Sequence, residues 1–354
     1  MDFEVNRTDF RETRAVENER SELEPGQIRL SVERFAITTN NVTYAVAGDM
    51  LDYWGFFPTD EPWGRLPAMG LSSVAESAHP EIAVGGRYFG FSSMSSECVI
   101  DARASGTGFR DIGAHRGDHA PIYTSFLSTA DDKLFDESKP DEYLVFKGLF
   151  LTSFLADDYL ADSNFGGATQ TLITSASSKT SISLAACIAR RDDQRSIGLT
   201  SDRNRNFVEG LELYDEVICY DQIDQLDPSV PSGMVDMAGN STVRTDVHTA
   251  FDESLRFSLT VGSTHWEAPR RVVSELPGPK PEFFFAPGQS AKRSAEWGAD
   301  ELESRIASSF HKLLDHAEGW LTVEHRTGAD GITSAYTDLL EGNADPATGY
   351  TVSL

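Results

Sequence analysis

Ser177, Ser178, Lys179 and Thr180 stand in a row, and each carries a donor group suited to a phosphate. Residues 171–174 before them have the composition of a short buried strand. After them Ile182, Leu184, Ala185, Ala186, Ile188 and Ala189 run nearly all round a helix, which marks that helix as buried. A strand, a tight polar turn and a buried helix can hold a phosphate. The helix start offers N–H groups and partial positive charge, the hydroxyls donate, and Lys179 adds a full charge. The same residues also suit an ordinary turn whose serines only cap the helix. No GxGxxG fingerprint is present, so the turn by itself leaves both readings open.

The elements around the turn narrow the choice. Residues 143–160 form a strongly apolar helical run. Strand-like runs at 171–174, 196–200, 216–220, 234–237, 255–261 and 283–286 then alternate with helical ones, among them 206–213 and 242–251. That alternation predicts an α/β domain with a doubly wound parallel six-stranded sheet. Asn240 follows the fourth strand, and Gly262, Ser263 and His265 follow the fifth, at the strand ends where a crevice is expected. Residues before about 140 are β-rich. Residues 27–37 alternate, 71–77 and 87–91 are short strands, and Gly85-Gly86 is a turn, so a small barrel-like domain is expected. Residues 104–139 are polar and poorly patterned, and predict a long loop. An amphipathic helix covers 299–318. The tail shows a strand from Trp320, a helix at 332–340 and a strand at 350–354, and is expected to return to the first domain. The predicted division is 1–142 with 320–354, and 143–319.

With 56 acidic against 30 basic residues, the net charge is −26, which repels nucleic acid and anionic membranes. No run is long and apolar enough to span a bilayer, and the first residues lack a signal-peptide pattern, so a soluble cytoplasmic protein is expected. Cys98, Cys187 and Cys219 are widely spaced, which argues for core thiols in a reducing compartment and against both a disulfide framework and a Cys-rich structural zinc site.

Longer stretches carry a resemblance. They are ITTNNVTYAVAGDMLDYWGFFP (37–58), WGRLPAMGLSSVAES (63–77), TSASSKTS (174–181), GLTSDRN (198–204), DMAGN (236–240), VGSTHWE (261–267) and PEFFFAP (281–287). In these, and in element order end to end, the chain resembles the medium-chain dehydrogenase/reductase superfamily. Within it the chain is most similar to the zinc-free quinone oxidoreductase branch, in a bacterial group of unknown function. The resemblance implies a GroES-like β domain, a Rossmann domain, a cleft between them, a homodimer and no metal. The chain departs from the usual Gly-rich turn, because Ser178, Lys179 and Ser181 occupy the glycine positions. Side chains there keep a dinucleotide backbone further off, or bind its phosphates themselves.

The second Rossmann strand decides the cofactor. An acidic residue at its end suits NAD, whereas donors suit the 2′-phosphate of NADP(H). This strand ends in Ser201, Asp202, Arg203, Asn204 and Arg205, which favours NADP(H), with Asp202 in the acidic role as the alternative. By resemblance Tyr220 sits against the 2′-phosphate, and Asn240, Gly262 and Ser263 line the ribose and nicotinamide. Hydride transfer also needs a donor to the substrate oxygen. Asn41 is a candidate by its position in zinc-free relatives, Tyr44 and Tyr53 by their hydroxyls, and His265 by its place after the fifth strand. Trp54, Phe56, Phe57 and Trp63 suit either an apolar substrate pocket or a core. His115, Arg116, His119 and Tyr123 fall in the expected loop, as a cover or as solvated residues. The expected function is zinc-independent, NADPH-dependent reduction of a small-molecule carbonyl or activated C=C. Two rivals stand beside it: a non-catalytic NADP(H)-binding sensor or scaffold, and a P-loop nucleotide-binding protein suggested by Ser178-Lys179-Thr180 and DMAG.

Overall fold

The computed structural model describes residues 1–17, 20–261 and 276–354. The chain divides into two compact units, Met1–Val145 with Leu321–Leu354, and Phe146–Trp320.

The first unit opens with nine strands: β1 (Asp2–Asn6), β2 (Thr13–Val16), β3 (Gln27–Ile37), β4 (Trp63–Gly64), β5 (Pro67–Ser77), β6 (Gly85–Ser93), β7 (Glu97–Ser105), β8 (Gly108–Asp111) and β9 (Ser125–Ser128). A small antiparallel sheet joins β2, β1 and β4. The pairing β3-β5-β6-β9-β8-β7 returns to β3, so six antiparallel strands close into a barrel. Closure leaves no unpaired edge among these strands. The alternation of Ile28 and Leu30 turns both inward, where Val74, Ile100, Phe109 and Phe126 meet them. This is the GroES-like barrel that the resemblance implied. Short helices α1 (Thr39–Val46) and α2 (Pro121–Thr124) follow β3 and precede β9.

The expectation of a long loop over 104–139 is overturned, because that stretch holds β8 and β9, which close the barrel. Four-residue strands such as GFRD and SFLS carry too few apolar residues to show a period. Gly108 lets them meet: its φ is +152°, and a Cβ there would lie 2.0 Å from the Phe126 carbonyl oxygen. Gly108→Ala is expected to lower the unfolding free energy by about 2–3 kcal/mol. Urea unfolding measures this, and a loss too small to detect would show that the β8–β9 junction tolerates a side chain.

The long apolar helix α3 (Pro140–Asp162) leads out of the first unit. The second unit then holds β10 (Gln170–Ile173), α4 (Lys179–Ile188), β11 (Arg195–Thr200), α5 (Arg205–Gly210), β12 (Glu216–Cys219), β13 (Ser232–Asp236), α6 (Ser241–Phe251), β14 (Leu255–Thr260), β15 (Glu282–Phe283), α7 (Ala286–Trp297) and α8 (Ala299–Ala317). All six strands are parallel, in the order β12-β11-β10-β13-β14-β15. This is the Rossmann order, with its switch point between β10 and β13. Leu172, Ile197, Leu199 and Met234 pack against Val243, Val247 and Phe251 of α6. Helix α7 has no counterpart in the apolar pattern, since its buried residues are Gln289 and Arg293. Arg293 binds Asp158 and Asp162 of α3 at 2.6 and 2.7 Å, so charge pairing takes the place of an apolar stripe.

The chain finishes with β16 (Thr322–Thr327), α9 (Gly328–Leu340) and β17 (Thr348–Ser353). Strand β17 pairs antiparallel with β3 of the first unit, and β16 lies parallel to β17.

Candidate functional site

In the second unit the candidate site lies at the ends of β10, β11, β12 and β13, about the switch point between β10 and β13. Ser178 is the N-cap of α4, and its hydroxyl accepts from the Ser181 N–H at 3.2 Å. Ser181 donates its hydroxyl to the Thr174 carbonyl at 2.8 Å, so the 2.8 Å contact between the two hydroxyls uses the Ser178 hydrogen. Ser178 and Ser181 therefore tie the helix to the strand, which is the close packing that a glycine permits by having no side chain. Ser177 differs. It accepts from the Asn204 amide at 3.0 Å, which leaves its own hydrogen for a ligand oxygen. Helix geometry leaves the Thr180 N–H without an intrahelical acceptor, and Lys179 is half-buried beside it.

Asn204 reaches this turn from just beyond β11, where Ser201 is half-buried and Arg203 is exposed. Arg205 is committed elsewhere, donating to Glu209 at 2.8 Å and to Gln222 at 3.4 Å. Tyr220, just past β12, accepts from the Ser175 N–H at 3.1 Å. Burial pushes its phenol pKa up, opposed by that bond, so the hydroxyl is neutral and still has a hydrogen to donate. Asn240 caps α6, accepting from the Thr242 and Val243 N–H groups at 3.0 and 3.3 Å. The sequence candidates Gly262, Ser263 and His265 lie outside the described residues.

Two members of this site were not among the binding residues expected from the sequence, although Asp236 opens the DMAG stretch. Tyr214 donates to the Ala176 carbonyl at 2.9 Å. Asp236, 1% exposed, takes Thr174 Oγ1 at 3.1 Å, Ala238 N–H at 3.2 Å and Gly239 N–H at 2.9 Å, with Arg244 at 3.5 Å. Burial raises its pKa against those partners. The available signal was the Asp-x-x-Gly spacing, which is an Asx-type turn as well as a GTPase-like motif.

In the first unit Asn41 completes the capping box of α1. Its amide oxygen accepts from the Thr38 N–H at 2.8 Å, and its nitrogen donates to the Pro67 carbonyl at 2.9 Å. Tyr44 and Tyr53 lie against each other with ring centroids 4.6 Å apart and planes tilted by 44°, and Tyr53 meets Tyr123 edge-on at 6.0 Å. The Tyr53 and Tyr123 hydroxyls are 3.4 Å apart. Burial raises the pKa of Tyr44 and of Tyr53, which keeps both phenols protonated donors. Of the expected pocket residues, Trp54 and Phe56 are core, and Trp63 is faced by Arg14 at 4.1 Å.

Arg116 is not a solvated loop residue. It is 2% exposed, donates to the Phe56 carbonyl at 3.0 Å and the Tyr123 carbonyl at 2.5 Å, and lies 3.4 Å from the buried Asp111 carboxylate. One guanidinium thus fixes the segments that carry Tyr53 and Tyr123. His119 pairs with Asp52 at 3.0 Å and lies against Phe56 with ring centroids 4.1 Å apart, the planes tilted by 43°. Among the described residues, no cluster of His, Cys, Asp or Glu is suited to a metal ion, and no helix is long and apolar enough to cross a membrane.

Solved structures share this fold. The chain is similar to CurA from Vibrio vulnificus in complex with NADPH, at 14% identity and TM-score 0.61 over 96% of this chain and 94% of that one. It is similar to YhdH of E. coli K-12 with bound NADPH, at 11% identity and TM-score 0.60 over 100% and 99%. It is also similar to the CurK enoyl reductase, at 14% identity and TM-score 0.53 over 96% and 95%. At these identities the likeness is one of fold. No curated protein matches the sequence. The family described as "Protein of unknown function (DUF2855)" matches residues 35–345, and the chain belongs to that family.

Proposed function

We propose that the protein is an NADPH-dependent oxidoreductase that reduces a small-molecule carbonyl or activated C=C by hydride transfer. The observation that carries this reading is the turn at the Rossmann switch point, where Ser177, Asn204 and Tyr220 converge from three strand ends. The donor chemistry fits the cofactor. The Ser177 hydroxyl and Thr180 N–H suit the bridging phosphates, and Ser201, Arg203 and Tyr220 suit a 2′-phosphate. Lys179 adds positive charge to the same helix start, and Asn240 with Gly239 is assigned to the turn beside the ribose. Three solved structures of the same fold were crystallised with NADPH, which supports the choice. When bound, NADPH supplies the hydride, and the chain must supply a donor to the oxygen on which charge develops. Tyr44 and Tyr53 are assigned to that task without a metal, and Asn41 to holding the α1 framework. The strand order and the inward-turned Asp236 favour this reading over a P-loop protein.

Titration of the protein with NADPH and NADH, followed by fluorescence, tests the assignment. Arg203→Ala is expected to weaken NADPH about ten- to hundredfold and to leave NADH nearly unchanged, since a charge-assisted contact contributes about 1.5–3 kcal/mol. Equal losses for both nucleotides would remove Arg203 from the 2′-phosphate, and no binding of either would end the reductase reading. Turnover with enones and aldehydes then separates an enzyme from a sensor.

A further inference from the structure

We propose that Tyr53 and Tyr123 together bind the carbonyl oxygen of an apolar, uncharged carbonyl compound, such as a hydrophobic enone or aldehyde. The reduction of that compound once bound rests on the reductase reading, whereas the residues that bind it all lie within the first unit.

Two phenols carry two hydrogens, and the 3.4 Å contact between the hydroxyls of Tyr53 and Tyr123 uses only one. Among the described residues no acceptor takes the second. Either hydroxyl can be the donor, and Tyr53 is 8% exposed while Tyr123 is half-buried, so whichever ring carries the second hydrogen, water has limited access to it, and a donor held there without a partner is costly. A ligand oxygen beside the pair completes the set. It takes the second hydrogen, or both once the phenols turn from each other, and two protonated donors converging on one oxygen are the arrangement that stabilises developing negative charge.

The pair is held in place. The Arg116 guanidinium bonds the carbonyls of Phe56 and Tyr123, which end the two segments concerned. Phe56 lies against the Tyr53 and Tyr123 rings at 5.3 and 5.1 Å, and Phe91 against Tyr123 at 5.2 Å. Little rotamer freedom remains to be lost on binding.

The residues that flank the two phenols in the chain point to the class of ligand. Met50 is 78% exposed and Leu51 is also exposed, just before Asp52 and Tyr53, while Ile122 is exposed directly before Tyr123. Large exposed apolar side chains on both phenol-bearing segments suit an apolar ligand body. The Asp52 carboxylate in the same segment, and the net charge of −26, disfavour an anion such as a carboxylate.

The test uses benzylideneacetone as the probe, with the wild-type protein, Tyr53→Phe and Tyr123→Phe. Phe keeps the ring packing, so both variants should fold. Infrared difference spectra are expected to show the bound carbonyl stretch at lower frequency in the wild type than in either variant. Fluorescence titration is expected to give binding about tenfold weaker in Tyr123→Phe, the size of one neutral hydrogen bond. Octanoate should bind more weakly than the enone. An unshifted carbonyl band, absence of binding, or a Tyr123→Phe variant equal to wild type overturns the proposal. A shifted band in a protein that binds no NADPH would sustain this site and sink the reductase reading. NADPH binding with an unshifted band would do the reverse.

Discussion

Arg116→Ala is expected to destabilise the first unit by about 3–5 kcal/mol, the usual result of removing one partner of a buried ion pair. The loss has two sources. The carbonyls of Phe56 and Tyr123 lose their donor, and Asp111, 4% exposed, is left as a buried carboxylate without its cation. Burial already raises the Asp111 pKa, and Arg116 acts against that rise. Without Arg116 the pKa climbs further, so the folded state holds the proton more tightly than the unfolded chain does. A raised carboxyl pKa contributes stability that is fully present below the unfolded carboxylate range and lost as the pH rises. The deficit of the variant should therefore be smallest in acid and grow toward neutrality. Urea unfolding at about pH 4.5 and about pH 7.5 measures this. Arg116→Ala with Asp111→Asn should recover part of the loss, because the second change removes the orphaned charge. Arg116→Lys should rescue poorly, since an ammonium lacks the planar fork that reaches two carbonyls and a carboxylate together. A deficit below about 1 kcal/mol, or one independent of pH, would mean that Arg116 is not the fastening of this segment.

Asp236→Ala is expected to cost about 3 kcal/mol or more in the second unit. The carboxylate is the acceptor for Thr174, Ala238 and Gly239, and Thr174 in turn accepts from the Met237 N–H at 2.9 Å. Removing it strands the buried donors of Thr174 and Ala238 and the half-buried Gly239 N–H at the switch point, and leaves Arg244 without its partner. Thermal unfolding should show a fall in Tm of about 6–10 °C, and the proposed NADPH binding should weaken because the turns after β10 and β13 share this carboxylate. Asp236→Asn keeps one acceptor oxygen and should lose less. The raised pKa of Asp236 sets the sign of the pH dependence: the wild-type advantage over Asp236→Asn is greatest in acid and declines as the pH rises. A Tm unchanged in Asp236→Ala would show that water replaces the carboxylate, and that the turn is held by its backbone alone.

The two networks differ in how far the sequence revealed them. The strand, turn and helix at Gln170–Ile188 were legible because each signal is local: a short apolar run, a serine at the cap, and apolar residues all round the helix. The division of labour within the turn was not legible. Four polar residues in a row look alike until Asn204 selects Ser177 and Ser181 occupies Ser178. Asn41 shows the same limit. Its position suggested a donor to substrate, and its bonds to Thr38 and Pro67 place it in a capping box. Helix α7 was missed because its buried face is Gln289 and Arg293, and no scale of hydrophobic periodicity registers a face held by ion pairs.

By itself the sequence determined the class of each half, the parallel series with its turn after β10, and the donors at the end of β11. All of these rest on periods of 2 and 3.6 and on residue types a few positions apart. Tertiary structure alone decided which strands close the barrel, that Arg116 is a buried fastening rather than a loop cation, and that Tyr123 stands 3.4 Å from Tyr53 across a separation of 70 residues. The physical reason is common to them. A hydrogen bond or ion pair between distant segments leaves no trace in the local pattern of either, because each partner has the composition of an ordinary polar residue until the fold brings the other within reach.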